Sequence, residues 1–190
     1  MSGHDPATSS GPLPAPVDDG TAAHLPGAPV PAVPLPATDG RTVRLDLPGG
    51  AARTVVYAYP RTGRPGEAPL VADWDLIPGA RGCTPESCAF RDHHAELRVA
   101  GAEVYGLSTQ DTAYQREAAT RLHLPFAILS DEKFALTKAL KLPTFTTSGM
   151  TLLKRMAWVI DEAKITKVFY PVFPPDQSAA EVIAWLQASR

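Results

Sequence analysis

Between Thr54 and Leu140 short apolar runs alternate with stretches that carry helix signals, and this order restricts the possible folds more than any other feature of the chain. Thr54-Val55-Val56-Tyr57-Ala58-Tyr59 reads as a central strand that Pro60 ends. A helix is expected after Cys83, running to about Ala100 and stopped by Gly101, and Val104-Tyr105-Gly106-Leu107 as a short strand. Ser108-Thr109-Gln110-Asp111 caps a second helix that finishes before Leu124-Pro125, Phe126 to Leu129 is extended again, and Asp131 caps a helix from Glu132 to Leu140. Strands separated by helices in this way build an α/β sheet with helices on its faces. Further along, Lys154 to Ile160 and Ile165 to Tyr170 flank a hairpin turn, and a last helix runs from about Ser178 to Ala188. Ahead of the central strand, Thr38-Asp39-Gly40-Arg41 and Pro48-Gly49-Gly50 are turn signals around the alternating Thr42-Val43-Arg44-Leu45.

A chain of 190 residues with 44% hydrophobic content can bury one good core, so one domain with a tail is expected. The tail is Met1 to about Pro31, a Pro-, Ala- and Gly-rich stretch without aliphatic periodicity that reads as a flexible leader; the domain is then 32–190. A net charge of −2 without a Lys/Arg cluster offers no general field for nucleic acid or an anionic membrane, and neither is expected as a partner. Apolar runs fall short of the ~18 residues that span a bilayer, and the N-terminus lacks a basic start followed by an apolar stretch, so a cytoplasmic location is expected.

Both cysteines lie in Ile77-Pro78-Gly79-Ala80-Arg81-Gly82-Cys83-Thr84-Pro85-Glu86-Ser87-Cys88-Ala89-Phe90-Arg91-Asp92. Pro78-Gly79 breaks the chain, Thr84 can cap a helix, and Pro85 suits the first helical position, which puts Cys83 just ahead of a helix N-terminus. Free N–H groups and the positive end of the helix dipole favour a thiolate there, the reactive form of the side chain. In a compartment that keeps thiols reduced, two cysteines read as reactive thiols sooner than as a disulfide framework; the plain alternative is two inert buried thiols. On a regular helix Cα atoms five residues apart are about 8.7 Å distant, whereas a disulfide wants less than about 7 Å. Joining Cys83 to Cys88 therefore requires the first turns to unwind. So short a loop would add only roughly 2 kcal/mol as a permanent staple, which argues for a redox cycle instead. His93 and His94 follow, but adjacent imidazoles on a helix point about 100° apart and the spacing is unlike a structural zinc site, so no metal and no cofactor are expected.

Gly82-Cys83-Thr84, Cys88 five residues after Cys83, and Phe90-Arg91-Asp92 together resemble the peroxiredoxins of the Q-type, or bacterioferritin-comigratory-protein, class, with similarity from about Ala32 to the C-terminus. The resemblance implies a thioredoxin-like three-layer fold, a central mixed sheet with helices on both faces. It implies a thiol peroxidase in which Cys83 attacks a hydroperoxide and becomes a sulfenic acid, Cys88 resolves it as a disulfide, and thioredoxin or a similar dithiol restores both thiols. Arg155-Met156-Ala157-Trp158-Val159-Ile160-Asp161 is similar to the family's Arg-x-x-Phe-hydrophobic-hydrophobic-Asp run, which makes Arg155 the group that stabilises the thiolate and polarises the peroxide. Read without the family, Arg155 is an arginine on a strand surface. Pro60, Thr62, Gly82 and Thr84 are expected to support the substrate pocket, and the resemblance leans towards a monomer.

The chain departs from the family pattern Pro-x-x-x-Thr-x-x-Cys. Pro60 and Cys83 are 23 positions apart instead of seven, so about 16 residues are inserted, in a loop at about 61–78 with Trp74 between Asp73 and Asp75. This loop either folds over the active site or is a surface loop with one packed aromatic. Ala80 occupies the place of the family's threonine, and Thr62 is the nearest candidate to supply the missing hydroxyl. Two other functions compete with the peroxidase: a peroxide-responsive redox sensor or binding module, and a thioredoxin-like disulfide exchanger. The second class uses Cys-x-x-Cys, whereas this chain has Cys-x-x-x-x-Cys.

Overall fold

The expected central strand, β3 (Arg53–Ala58), is the middle of a five-stranded sheet in a computed structural model that describes residues 12–189. Before it come β1 (Pro34–Pro36) and β2 (Thr42–Arg44), a separate antiparallel pair. After it come α1 (Cys83–Asp92), α2 (His94–Val99), β4 (Ala102–Ser108), α3 (Thr112–Arg121), β5 (Ile128–Ser130) and α4 (Ala135–Leu140). The chain closes with the hairpin β6 (Thr144–Thr147) and β7 (Met150–Leu153), then β8 (Met156–Asp161), β9 (Lys164–Phe169) and α5 (Ser178–Ala188).

The sheet order is β5-β4-β3-β8-β9; β3, β4 and β5 run parallel, while β8 is antiparallel to both β3 and β9. A strand buried on both faces needs apolar residues at consecutive positions, and β3 has them. Val55 and Tyr57 join a core with Phe90 of α1, Leu97 of α2 and Val182 and Leu186 of α5. Val56 and Ala58 join the opposite core with Leu136 and Leu140 of α4. The mixed sheet with helices on both faces is thus the fold expected from the sequence. Among the described residues no helix is long and apolar enough to cross a membrane.

Residues 1–11 of the expected leader lie outside the described residues, and the rest of it is no loose tail. Ala22, Leu25 and Val30 are buried in the second of these cores, and the backbone pairs with the start of β9: Gly27 N donates to Ile165 O at 2.6 Å and Ile165 N to Ala28 O at 2.9 Å. Three apolar side chains spaced among prolines lack any helical or strand period, which hid their burial. The expected helix to Ala100 is divided at His93 (φ −96°, ψ 8°), and both pieces keep an apolar anchor, Phe90 and Leu97, fully buried against the sheet. Asp131 caps as expected, accepting from Leu136 N and Thr137 N, but the helix begins at Ala135 because Phe134 adopts φ 57°.

The inserted loop is docked onto α3. Tyr114 Oη accepts from Arg61 and donates to Glu67 at 2.9 Å, the Arg64 guanidinium lies over the Tyr114 ring at 4.2 Å, and Arg121 Nη2 donates to Gly63 O at 3.1 Å. Trp74 opens a short 3-10 turn and its ring faces Phe145 of β6 at 6.5 Å.

Candidate active site

Gly82 turns the chain directly into α1. Its φ of 112° is in the left-handed region, and an added Cβ would lie 2.5 Å from Cγ of Pro175, so glycine is required on both counts. Glu86 N donates to Gly82 O at 3.0 Å, the first bond of the helix. Cys83 is therefore the first helical residue, with Gly82 as the cap, and not the residue before a Thr84 cap. Thr84, half-buried, and Pro85 fall within the first turn, where N–H groups have no intrahelical partner and a proline costs nothing.

Cys83 is 4% exposed and Arg155 3% exposed. Arg155 sits between β7 and β8, and its Nη2 donates to Cys83 Sγ at 3.2 Å and to the carbonyls of Gly79, Ala80 and Arg81 at 3.2, 3.3 and 3.3 Å. Nη1 is ion-paired with Glu86 Oε2. The plain reading of Arg155 as a surface residue is overturned: one guanidinium ties the loop ahead of the helix, the sulfur and the first turn together. The Cys83 thiol also donates to Ala80 O at 3.6 Å.

Burial opposes the charge on Arg155, yet the neighbouring Cys83 and Glu86 hold its pKa above the ordinary value. Burial pushes Glu86 up to about 7, against the pull of the Arg155 charge and a lesser contribution from Ser178 at the start of α5. One buried cation thus serves two potential anions, and desolvation dominates for the carboxyl.

Cys88 is half-buried in the second turn of α1, and both cysteines are free. The next residue back, Ser87, accepts from Tyr57 Oη at 3.0 Å, and the Tyr57 ring stacks on Phe90 with centroids 4.4 Å apart. Pro60 is buried at the end of β3. Thr62 is buried too, but its hydroxyl and N–H donate to Gln110 Oε1 at 3.3 and 3.0 Å, and among the described residues no hydrogen bond joins it to Cys83. His93 Nδ1 lies 2.8 Å from Glu96 Oε1 while the His94 ring faces Phe126, so the two imidazoles diverge.

Glu86 was not singled out from the sequence. The signal was its spacing: three residues after Cys83 on a helix is the same face, at the position where an acid meets what Cys83 meets. Tyr57, Tyr59 and Ser87 left no such mark, because tyrosines in an apolar strand and a serine in a helix are ordinary.

A cysteine that starts a helix packed on the central strand of a mixed sheet, with an arginine on its sulfur, is an arrangement suited to thiol chemistry. Residues 25–183 match the Redoxin family. Peroxiredoxin Q of Oryza sativa is 32% identical over 163 residues, covering 85% of this chain and 66% of its own. The Sedum lineare peroxiredoxin Q is 31% identical, covering 85% and 77%. The chain spans just under two thirds, 66%, of the length of the first of these relatives. Among solved structures, peroxidoxin BcpB from Mycobacterium tuberculosis superposes with a TM-score of 0.71 at 26% identity, over 88% of this chain and 99% of that one. The chain belongs to the Redoxin family and, within it, to the Q-type peroxiredoxins.

Proposed function

We propose that the protein is a thiol peroxidase for hydrogen peroxide and small organic hydroperoxides. The Cys83 thiolate attacks the terminal peroxide oxygen: the S–O bond forms, the O–O bond breaks, and the alkoxide or hydroxide leaves and takes up a proton. Sulfur is oxidised to a sulfenic acid as the peroxide is reduced. The observation that carries this reading is Arg155 Nη2 at 3.2 Å from Sγ, a permanent cation placed to hold the thiolate and the leaving oxygen.

Cys88 then displaces water from the sulfenic acid to form a disulfide. On a regular helix the two Cα atoms are about 8.7 Å apart, so the first turns of α1 open before the sulfurs meet. A dithiol such as thioredoxin reduces the disulfide and returns both thiols. The cycle is complete within one chain, which fits a monomer, and a cytoplasm that keeps thiols reduced fits the two free cysteines.

Peroxide consumption coupled to NADPH through a thioredoxin system tests the proposal. Cys83→Ser is expected to abolish consumption, and Cys88→Ser to allow one turnover and block cycling. Normal consumption by Cys83→Ser would refute the assignment, and oxidation of Cys83 without steady turnover would leave a sensor in place of an enzyme.

A further inference from the structure

Two buried donors around Cys83 have nothing to donate to. The Tyr59 hydroxyl and Arg155 Nε are both enclosed without a hydrogen-bond partner among the described residues. Tyr59 follows the last residue of β3, its N–H donates to Leu107 O at 3.1 Å, and its ring packs in the same core as Cys83. Ser108 is near enough to lower the Tyr59 pKa, but its oxygen is already occupied. It accepts from Gln115 Nε2 at 2.8 Å and from Gln110 N at 3.4 Å, and donates to Gln110 Oε1 at 3.4 Å. No free lone pair remains for Tyr59.

An orphaned buried hydroxyl costs stability, and a protein holds one only where something else compensates. A hydroperoxide beside Cys83 supplies what is absent: two adjacent oxygens, each an acceptor. The alternative donor, the Thr62 hydroxyl, is engaged with Gln110, and Ala80 has none to offer.

Resting on the peroxidase reading, we infer that the Tyr59 hydroxyl is a catalytic donor: with Arg155 Nε it hydrogen-bonds the bound hydroperoxide and holds the leaving oxygen as the O–O bond breaks. The proton stays on tyrosine oxygen, and the bond to the leaving oxygen strengthens as that oxygen becomes an alkoxide. Burial raises the Tyr59 pKa and keeps the hydroxyl protonated for this purpose. Charges on Cys83, Glu86 and Arg155 all bear on it, as they must if it faces the reacting atoms.

Tyr59→Phe in a Cys88→Ser parent tests the inference, with three readouts: the single-turnover rate of Cys83 loss with hydrogen peroxide and with a small alkyl hydroperoxide, the rate of Cys83 alkylation by iodoacetamide, and the melting temperature. Peroxide oxidation is expected to fall about 10- to 100-fold, between the effect of a neutral hydrogen bond and that of an oxyanion donor. Alkylation needs the thiolate but no peroxide donor, so its rate is expected to hold, and the melting temperature to stay or rise as an orphaned oxygen is removed. A peroxide rate within twofold of the parent overturns the inference. So does an equal fall in both rates, which marks a structural role. A parent that does not react with peroxide at all overturns the peroxidase reading, and this inference with it.

Discussion

Replacing Arg155 by methionine keeps most of the side-chain volume and removes the charge from a fully enclosed site. Glu86 would then be a buried carboxylate without its cation, and the carbonyls of Gly79, Ala80 and Arg81 would lose their shared donor. Breaking a buried pair by removing one partner costs roughly 3–5 kcal/mol. Here the loss has a ceiling, because burial already pushes Glu86 up to about 7 and the isolated carboxyl can take a proton. About 3 kcal/mol at pH 8 is expected, read by urea unfolding of the reduced protein, and less at pH 5, where Glu86 is protonated in either variant. Adding Glu86→Gln to Arg155→Met should return part of the loss, with a coupling of about 2 kcal/mol between the two sites. A cost for Arg155→Met below about 1 kcal/mol, or a double variant whose loss equals the sum of the singles, would refute the view that this pair organises the site. Peroxide reactivity should stay low in the double variant, since the sulfur still lacks its donor.

Three other outcomes follow from the same contacts. Glu86 has a folded-state pKa of about 7 against an ordinary 4.5, so the folded state holds its proton more tightly; the stability this contributes is full below about pH 4.5 and is lost as pH rises to 7. The shift corresponds to about 3 kcal/mol, and Glu86→Gln should show a stability-pH curve lacking that decline; parallel curves for the two proteins would contradict it. Gly82→Ala should lower stability by about 2 kcal/mol or more and slow peroxide reaction, because a Cβ meets Pro175 and φ 112° is strained; a wild-type melting curve would show that the helix start is less constrained than described. Tyr57→Phe should speed disulfide formation after oxidation about 2- to 12-fold, because the Tyr57–Ser87 bond holds shut the turn that must open; an unchanged rate in rapid-quench thiol trapping would contradict this role.

The sheet was legible because its strands carry the pattern that burial imposes. The apolar Thr54–Tyr59 run, ended by Pro60, reads as a central strand, and a hairpin signal at Asp161-Glu162-Ala163-Lys164 pointed to the antiparallel β8 and β9 pair. β6 and β7 escaped notice: Thr144-Phe145-Thr146-Thr147 is a short, half-exposed run whose pairing partner is set by tertiary packing. The buried segment around Leu25 escaped for the opposite reason, since its composition is that of a linker and only the groove beside β9 makes it core. At the site, the two cysteines stood out by residue type and spacing at a helix start, whereas Arg155 was marked only by its resemblance to the family's Arg-x-x-Phe run and read otherwise as a strand-surface arginine. Glu86 and Tyr59 were not, because a carboxyl's burial and a hydroxyl's lack of a partner belong to the folded chain alone.

Mass spectrometry of the reduced protein after one equivalent of hydrogen peroxide tests most directly whether one sulfur is oxidised and its neighbour closes on it. The account predicts an intact mass lower by two hydrogens and, after digestion, a peptide cross-linked between Cys83 and Cys88. A single added oxygen that persists on Cys83 would contradict the intramolecular cycle, and an unmodified Cys83 would contradict the peroxidase itself.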